Sequence, residues 1–236
     1  MPHRDFDVAS LARYLHLTPQ QVLRLAERGK LPGRKVAGQW RFPRAEVHHW
    51  LEDRIGAAED DAQLAQLENV VCQPAAGPSE TSFTSLTELM PLEAIAIPLK
   101  AKTRNSVVSA MVDLAVQTGW LWDKQTMVEA ILAREAMYPT ALENGVALLH
   151  PRRPLGSILS QPLVCLGITS SGVPFGGSSL TDVFFLICSV DDPGHLRILT
   201  RLSRVITLEG VLESLRSAGD APTARSVIQQ AEIVLP

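Results

Sequence analysis

The chain has 236 residues, of which 46% are hydrophobic, and its formal charge at pH 7 is −3. This length and apolar content suit one large globular domain or two small ones with buried cores. No apolar stretch reaches the roughly 18 residues of a membrane-spanning helix, and the amino terminus lacks the pattern of a signal peptide, so we expect a cytoplasmic protein without direct membrane insertion. The three cysteines include no C-x-x-C pair, which argues against a disulfide framework. Cys165 and Cys188 lie in apolar runs typical of buried thiols.

The charge is unevenly distributed along the chain. Residues 1–55 carry ten Lys and Arg against six Asp and Glu, residues 56–83 carry five acidic residues and no basic one, and residues 84–236 carry twelve basic and fourteen acidic residues. A basic head and a slightly acidic body predict two modules with different partners. The composition of residues 56–83 predicts an acidic flexible linker. A short dimerising helix is the alternative there, because Leu64, Leu67 and Val71 hint at helical spacing.

The first module shows the pattern of a winged helix-turn-helix. Apolar residues recur at helical spacing over residues 8–15, and Thr18-Pro-Gln-Gln21 predicts the capped start of a second helix. Two short strands around Ala37-Gly38-Gln39 predict a hairpin wing, and a third helix is predicted from Pro43. We expect residues 1–55 to form this domain.

Basic residues cluster on the predicted second helix and wing. A winged helix presents these two elements to DNA, where Lys and Arg neutralise phosphates and residues early in the second helix reach base edges. The predicted DNA-binding residues are Gln20, Gln21, Arg24, Arg28, Lys30, Arg34, Lys35 and Arg41. A solvated basic surface without a nucleic-acid partner is the alternative.

The segment D-V-A-S-L-A-R-Y-L-H-L-T-P-Q-Q-V and the later pattern G-K-L-P-x-x-K-x-x-x-x-W-R-F resemble the excisionase and MerR-like helix-turn-helix family over residues 5–55. The resemblance implies that Trp40 and Phe42 pack the wing onto the helices. It also implies DNA binding, often as a dimer or in tandem.

Helical and strand patterns are mixed from about residue 84 onward. Two helical stripes, one containing Met111 and the other Ile131, precede apolar strand runs over residues 163–168 and 183–190. A long helix is predicted from Asp192-Pro-Gly-His195, and two shorter helices follow it. The pattern predicts an α/β (α+β) domain over residues 84–236, with helices packed on a mixed β-sheet.

His150 follows the apolar, strand-like run Val146–Leu149 and precedes Pro-Arg-Arg. A histidine at a strand end is presented on a loop, where functional residues concentrate. Neutral imidazole is a competent nucleophile near pH 7, and arginines suit a phosphoryl group. Arg134, near a helix end, and His195, at a helix start, are the candidate partners, since a helix start offers free amides and a positive dipole end.

This arrangement resembles the type-2 IIA domain of the bacterial phosphotransferase system, of the mannitol, fructose and nitrogen-regulatory class. The likeness rests on Arg134-Glu135, on the segment T-x-x-x-x-G-x-A-x-x-H that ends in His150, and on the H-L-x-x-L helix that contains His195. It implies that His150 is the phosphoacceptor and that Arg134 and His195 bind the phosphate. A small histidine-containing phosphocarrier protein would be the donor. No metal or cofactor is predicted.

The family pattern T-G-x-G-x-G-x-A-x-P-H-G is only partly kept. Ala141, Glu143 and Pro151 stand where the family has glycine. Glycine lets the backbone approach an anion closely, and proline removes an amide donor. We also expect Glu143 to place a carboxylate near the phosphate, which would repel it. Arg152 and Arg153 would partly compensate.

Three functions are compatible with these patterns. The first is a DNA-binding regulator whose IIA-like domain is phosphorylated on histidine or docks phosphotransferase-system partners. The second is a sugar-transport phosphocarrier that passes the phosphoryl group to a IIB domain. The third is a degenerate, non-phosphorylated interaction domain that oligomerises the head. The expected partners are DNA, the histidine phosphocarrier protein and, in a homodimer, a second copy of the chain.

Overall fold

We describe the protein from a computed structural model that covers residues 5–15, 17–56, 85–176 and 179–235. The chain divides into two compact units between residues 80 and 81. The linker predicted over residues 56–83, with its alternative helix, lies outside the described residues except for Gly56. No helix in the described ranges is long and apolar enough to cross a membrane.

The amino-terminal unit contains three helices and a hairpin. They are α1 (Val8–Tyr14), α2 (Pro19–Glu27), β1 (Arg34–Val36), β2 (Gln39–Arg41) and α3 (Arg44–Gly56). The capping box predicted for α2 is present, since Thr18 and Gln21 each accept a hydrogen bond from the other's backbone amide. This exchange satisfies two amides that a helix start leaves without partners.

The hairpin turns at Ala37 and Gly38, which both have positive φ, as a two-residue turn between twisted strands requires. Phe42 is fully buried and forms an antiparallel bridge with Phe6 ahead of α1. Trp40 is half-buried and stacks on Phe42 with ring centroids 5.9 Å apart. Phe42 therefore belongs to the core of this unit and Trp40 stacks on it, while the predicted packing of the two rings onto the helices stays a prediction.

The carboxy-terminal unit is built on a four-stranded mixed sheet. Its strands are β3 (Ile95–Ala96), β4 (Val146–Leu149), β5 (Leu163–Val173) and β6 (Thr181–Cys188), in the spatial order β3-β5-β6-β4. Strands β5 and β6 are antiparallel, whereas β3 pairs with β5 and β4 pairs with β6 in parallel. The strands are almost wholly buried, which explains their continuous apolar sequences.

Five α-helices accompany this sheet in the described part of the unit. They are α4 (Arg104–Gln117), α5 (Lys124–Met137), α6 (Asp192–Thr207), α7 (Val211–Ser217) and α8 (Ala221–Val234). Met111 and Ile131, the residues that mark the two predicted stripes, are fully buried in one core with the sheet. The mixed α/β fold predicted from the sequence is confirmed.

Candidate functional site

The candidate site lies where two parallel strands end together. Strands β4 and β6 are paired in register from Val146 with Val183 to Leu149 with Leu186. Their carboxyl ends therefore meet at one edge of the sheet. His150 comes directly after β4, and Ser189 comes directly after β6. The edge thus collects polar residues that are far apart in sequence.

The ring of His150 is oriented by a backbone carbonyl. Its Nδ1 lies 2.8 Å from the carbonyl oxygen of Leu148, and the imidazole is buried. A carbonyl can only accept, so Nδ1 must carry the proton in this hydrogen bond. In the neutral ring the lone pair is then on Nε2, which makes Nε2 the nucleophilic nitrogen.

His195 lies beside His150 at the start of α6. The ring centroids are 5.1 Å apart and the planes are inclined by 52°. The side chain of Asp191 caps the helix by accepting from the amide of Gly194, and Nδ1 of His195 lies 2.9 Å from the hydroxyl oxygen of Ser189. The structure therefore brings together two of the three predicted site residues and adds Ser189, which the sequence analysis missed. A polar residue between an apolar strand and a capped helix was the available signal.

Arg134 lies near the end of α5 and is buried. Its Nη1 donates to the carbonyl of Tyr138 at 2.7 Å, which satisfies a carbonyl at the helix end. Its Nε is buried and has no hydrogen-bond partner among the described residues. A buried guanidinium donor without a partner is unusual. A phosphoryl oxygen is the kind of group that would satisfy it.

Glu135 and Thr140 form a buried pair next to Arg134. The amide of Thr140 donates to both carboxylate oxygens at 3.3 Å, and its hydroxyl donates to one of them. Burial raises the pKa of Glu135, while the hydrogen bonds from Thr140 and the charges of Arg134 and Arg104 act in the opposite direction. Glu135 belongs to the Arg134-Glu135 pair and Thr140 begins the segment that ends in His150, but neither residue was predicted to have a role of its own.

The position of Glu143 corrects one expectation. Glu143 is exposed in the turn that precedes β4, whereas His150 follows the other end of the strand. Four strand residues span about 13 Å, so the Glu143 carboxylate is not a neighbour of the His150 ring and does not repel a phosphate there. The surviving Gly145 serves this turn, with φ of +82°. Pro151 directly follows His150, so the second expectation stands: proline has no backbone N–H that could donate to a phosphate on His150.

The predicted DNA-binding residues are mostly exposed. They comprise Gln20, Gln21, Arg24, Arg28 and Lys30 on and after α2, Arg34 and Lys35 on β1, and the half-buried Arg41 on β2. Gln21 differs from the others because its side chain is engaged in the helix cap. Arg34 lies 3.8 Å from Asp5, and the Lys35 ammonium lies 5.4 Å from the Trp40 ring centroid. The basic surface therefore consists of α2 and the hairpin, as expected.

Comparison with known families identifies both units. Residues 88–231 match the family described as phosphoenolpyruvate-dependent sugar phosphotransferase system, EIIA 2. The chain belongs to this family. Residues 6–55 match a helix-turn-helix domain. Both predicted family relationships are confirmed.

Individual relatives cover the EIIA region. The chain is 28% identical over 155 residues to the fructose-specific EIIA component of the phosphotransferase system from Haloferax volcanii, a match that spans 64% of this chain and 97% of the relative. It is also 28% identical over 154 residues to a nitrogen regulatory protein from Bradyrhizobium diazoefficiens, spanning 61% and 94%. The crystal structure of nitrogen regulatory protein IIA-Ntr from Neisseria meningitidis has the same fold, with a TM-score of 0.54, 20% identity and coverage of 60% and 97%.

Proposed function

We propose that this protein is a DNA-binding regulator whose EIIA domain accepts a phosphoryl group on Nε2 of His150. One observation carries the proposal: the His150 ring is held through Nδ1 by the Leu148 carbonyl, with the His195 ring 5.1 Å away. This arrangement fixes the tautomer that a phosphoacceptor needs. It also places a second imidazole within reach of a group bound to the first.

Two features suit the charge of a phosphoryl group on His150. The start of α6, which holds His195 beside His150, is a positive dipole end. The buried Nε of Arg134 is a charged donor, which we propose turns to the phosphoryl group. Transfer to histidine depends on positioning and on stabilising the charge of the transferred oxygens. His195 and Arg134 are the residues to which we assign this stabilisation. Arg152 and Arg153, exposed in the following loop, would add positive charge.

The donor follows from the family. Its members belong to a phosphoenolpyruvate-dependent system, and we infer that a histidine-containing phosphocarrier protein delivers the phosphoryl group to His150. A phosphoryl group adds nearly two negative charges at pH 7. Such a change alters how a domain binds charged partners, which is the basis of regulation in this proposal.

The amino-terminal unit supplies the reason to propose a regulator. Exposed basic residues follow α2 and the hairpin, and the capping of Gln21 leaves Gln20 and Arg24 as the candidates for contact with base edges. Arg28, Lys30, Arg34, Lys35 and Arg41 would contact phosphates.

Phosphorylation is tested by incubating the full chain with the histidine phosphocarrier protein, the phosphotransfer protein upstream of it and labelled phosphoenolpyruvate. We expect an acid-labile label on the wild type and none on His150→Gln. His16→Gln is the matched control, since it also removes one imidazole but lies in the helix-turn-helix domain. Absence of label on the wild type, or an equal label on His150→Gln, would contradict the proposal.

DNA binding is tested by selecting duplexes from a random library with the full chain and measuring their affinity as salt is varied. Lys35→Ala is expected to weaken binding to all selected sequences and to flatten the salt dependence, because it removes a phosphate contact. Arg24→Ala is expected to relax sequence preference as well. Lys100→Ala, an exposed lysine of the EIIA domain, is the control. A wild type that selects no duplex would rule out the regulator.

A phosphocarrier in sugar transport is the second candidate. The relative named a fructose-specific EIIA component favours it, because that relative is aligned over 97% of its length. This candidate predicts that labelled protein passes its phosphoryl group to a IIB domain, without selective binding to DNA. A labelled protein that binds DNA but transfers nothing would support the regulator. Unlabelled protein that still binds DNA, as a homodimer measured by light scattering, would indicate a non-phosphorylated interaction domain.

A further inference from the structure

The carboxylate of Glu135 is one of the most deeply buried charged groups of the EIIA domain. Its side chain is only 2% exposed and lies on the last turns of α5. Burial of a carboxylate is unfavourable unless hydrogen bonds replace the lost water. Within the described part of the chain, the replacement comes from Thr140, whose amide and hydroxyl both donate to the carboxylate. The pair therefore fixes the backbone of Thr140.

The fixed residue is joined to the strand that carries His150. The carbonyl of Thr140 accepts from the amide of Leu148 at 3.3 Å, and the neighbouring residues Ala141 and Ala147 form an antiparallel bridge. The segment after α5 thus pairs with β4 along the residues that precede His150. Any shift of Thr140 would be transmitted to Leu148.

Leu148 contacts the His150 ring. Its amide is bonded to Thr140, and its carbonyl accepts from Nδ1 of His150 at 2.8 Å. The two groups belong to adjacent peptide units, so the first bond helps to hold the carbonyl that forms the second. Three hydrogen-bonded contacts in succession, from Glu135 to Thr140, from Thr140 to Leu148 and from Leu148 to His150, connect a buried carboxylate to the imidazole.

We propose that Glu135 and Thr140 are positioning residues for His150. They hold the Leu148 peptide so that its carbonyl selects the Nδ1–H tautomer, which leaves the lone pair on Nε2. The importance of this tautomer for phosphorylation rests on the function proposed above. The tautomer itself is a property of the unmodified protein and is measured without any phosphoryl donor.

A purely structural role would give a different result. In that case the Glu135–Thr140 pair closes the end of α5, and its loss lowers stability without changing the imidazole. In metal sites, residues that hydrogen-bond a metal-ligating side chain and orient it typically change metal affinity or activity by about 10- to 100-fold when they are mutated. We expect an effect of similar size for residues that orient a phosphorylated histidine. The tautomer of His150 separates the two roles, because global stability does not set it.

The experiment uses the full chain with ¹⁵N-labelled histidine and records long-range proton–nitrogen correlations of the imidazoles, at a pH where they are neutral. The His150 signals are identified by their loss in His150→Gln. We expect Nδ1–H in the wild type and a mixture of tautomers in Glu135→Leu and Thr140→Val. Glu135→Gln should retain the wild-type pattern, because its amide oxygen can still accept from Thr140. Glu129→Leu is the matched control, since Glu129 is exposed on the same helix.

A folded Thr140→Val protein with an unchanged His150 tautomer would overturn the proposal, and so would an unchanged tautomer in folded Glu135→Leu. The phosphorylation rate provides the second measurement. We expect a decrease of about 10-fold in Thr140→Val and wild-type behaviour in Glu135→Gln. If the wild type takes no label but its tautomer responds to Thr140→Val, the proposed function fails and the positioning role survives. If the label forms but the tautomer does not respond to Thr140→Val, the proposed function survives and the positioning role fails.

Discussion

The two ends of strand β4 illustrate different uses of polar residues. At its amino end, Arg216 makes a bidentate pair with Asp182, at 2.8 and 2.9 Å, and donates to the carbonyl of Asn144 at 2.7 Å. At its carboxyl end, His150 and His195 face each other, and the contacts that orient them act on Nδ1. The first end uses its polar groups to close a turn. The second end brings together two imidazole rings, one of which is the proposed phosphoacceptor.

Under the proposed function, this difference would place stability at one end of a four-residue strand and activity at the other. Hydrogen bonding and attraction to Asp182 raise the pKa of Arg216, against the effect of burial, so the pair holds its charges at the closed end. At the histidine end, a carbonyl and a hydroxyl contact Nδ1 of the two imidazoles. Variants at the closed end should therefore change the free energy of unfolding, whereas variants at the histidine end should change the rate of phosphorylation.

The largest effect is expected for His195→Ala. Removing one group that stabilises transferred charge typically lowers a rate by about 100-fold, and we expect that decrease in the initial rate of His150 labelling. Ser189→Ala should give an intermediate decrease, because it removes the contact of Nδ1 but leaves the ring. Ser214→Ala, at an exposed position of α7, should behave as wild type. Equal rates in all three proteins would exclude His195 from the site.

Gly145→Ala should affect stability more than rate. Gly145 has φ of +82°, and an added Cβ would lie 2.7 Å from Nη2 of Arg216 and 3.1 Å from the carboxylate of Asp182. Gly119 has a similar φ of +74° but nothing within 4 Å, so Gly119→Ala reports backbone strain alone. That strain is about 1 kcal/mol. We expect Gly145→Ala to lower the free energy of unfolding, measured with urea, roughly twice as much as Gly119→Ala does. The additional loss would come from disturbance of the pair between Arg216 and Asp182. Equal decreases in the two variants would show that Arg216 and Asp182 move aside without a measurable cost in stability.

Arg216→Lys tests the geometry of the closed end while keeping its charge. A lysine cannot reproduce the bidentate contact, and both partners are about one-third exposed. We therefore expect a decrease of only about 1 kcal/mol in the free energy of unfolding. Lys124, paired with Asp113 at another surface position, gives the control variant Lys124→Arg. A change in phosphorylation rate as large as that of His195→Ala would contradict the separation of the two ends.

The smallest effect concerns the pH dependence of stability. Burial raises the folded-state pKa of Glu135 above its ordinary value of 4.5, so the folded protein binds this proton more tightly than the unfolded chain does. The resulting stability is present below pH 4.5 and is lost as pH rises through the raised pKa. We expect the free energy of unfolding of the wild type, relative to Glu135→Gln, to fall over this interval. A difference in the free energy of unfolding that does not change with pH would contradict the raised pKa of Glu135. Such a constant difference is expected for the control variant Glu129→Gln.

Much of this architecture was predictable from local sequence. The capping box of Thr18 and Gln21, the glycine turn of the wing and the buried strand runs follow from patterns within a few residues, because caps, turns and periodicity are local interactions. His150 was singled out by its place after a strand and His195 by its place at a helix start, whereas the roles predicted for them came from likeness to a family. The expectation that Glu143 lies near the phosphate was wrong for a physical reason. Glu143 and His150 are seven residues apart, and an interval of that length can form a compact turn or extend along a whole strand. The sequence motif does not distinguish these two conformations.

The sequence by itself indicated the candidates for phosphoryl chemistry, and it predicted which segments form helices, strands and a basic wing. Only the tertiary structure decided which of them meet. The parallel pairing of β4 with β6 brings Ser189 and His195 to His150, and pairing of the segment after α5 with β4 connects Glu135 to the same ring. Such contacts depend on how strands align across a sheet, and this long-range alignment leaves no signature within either strand alone.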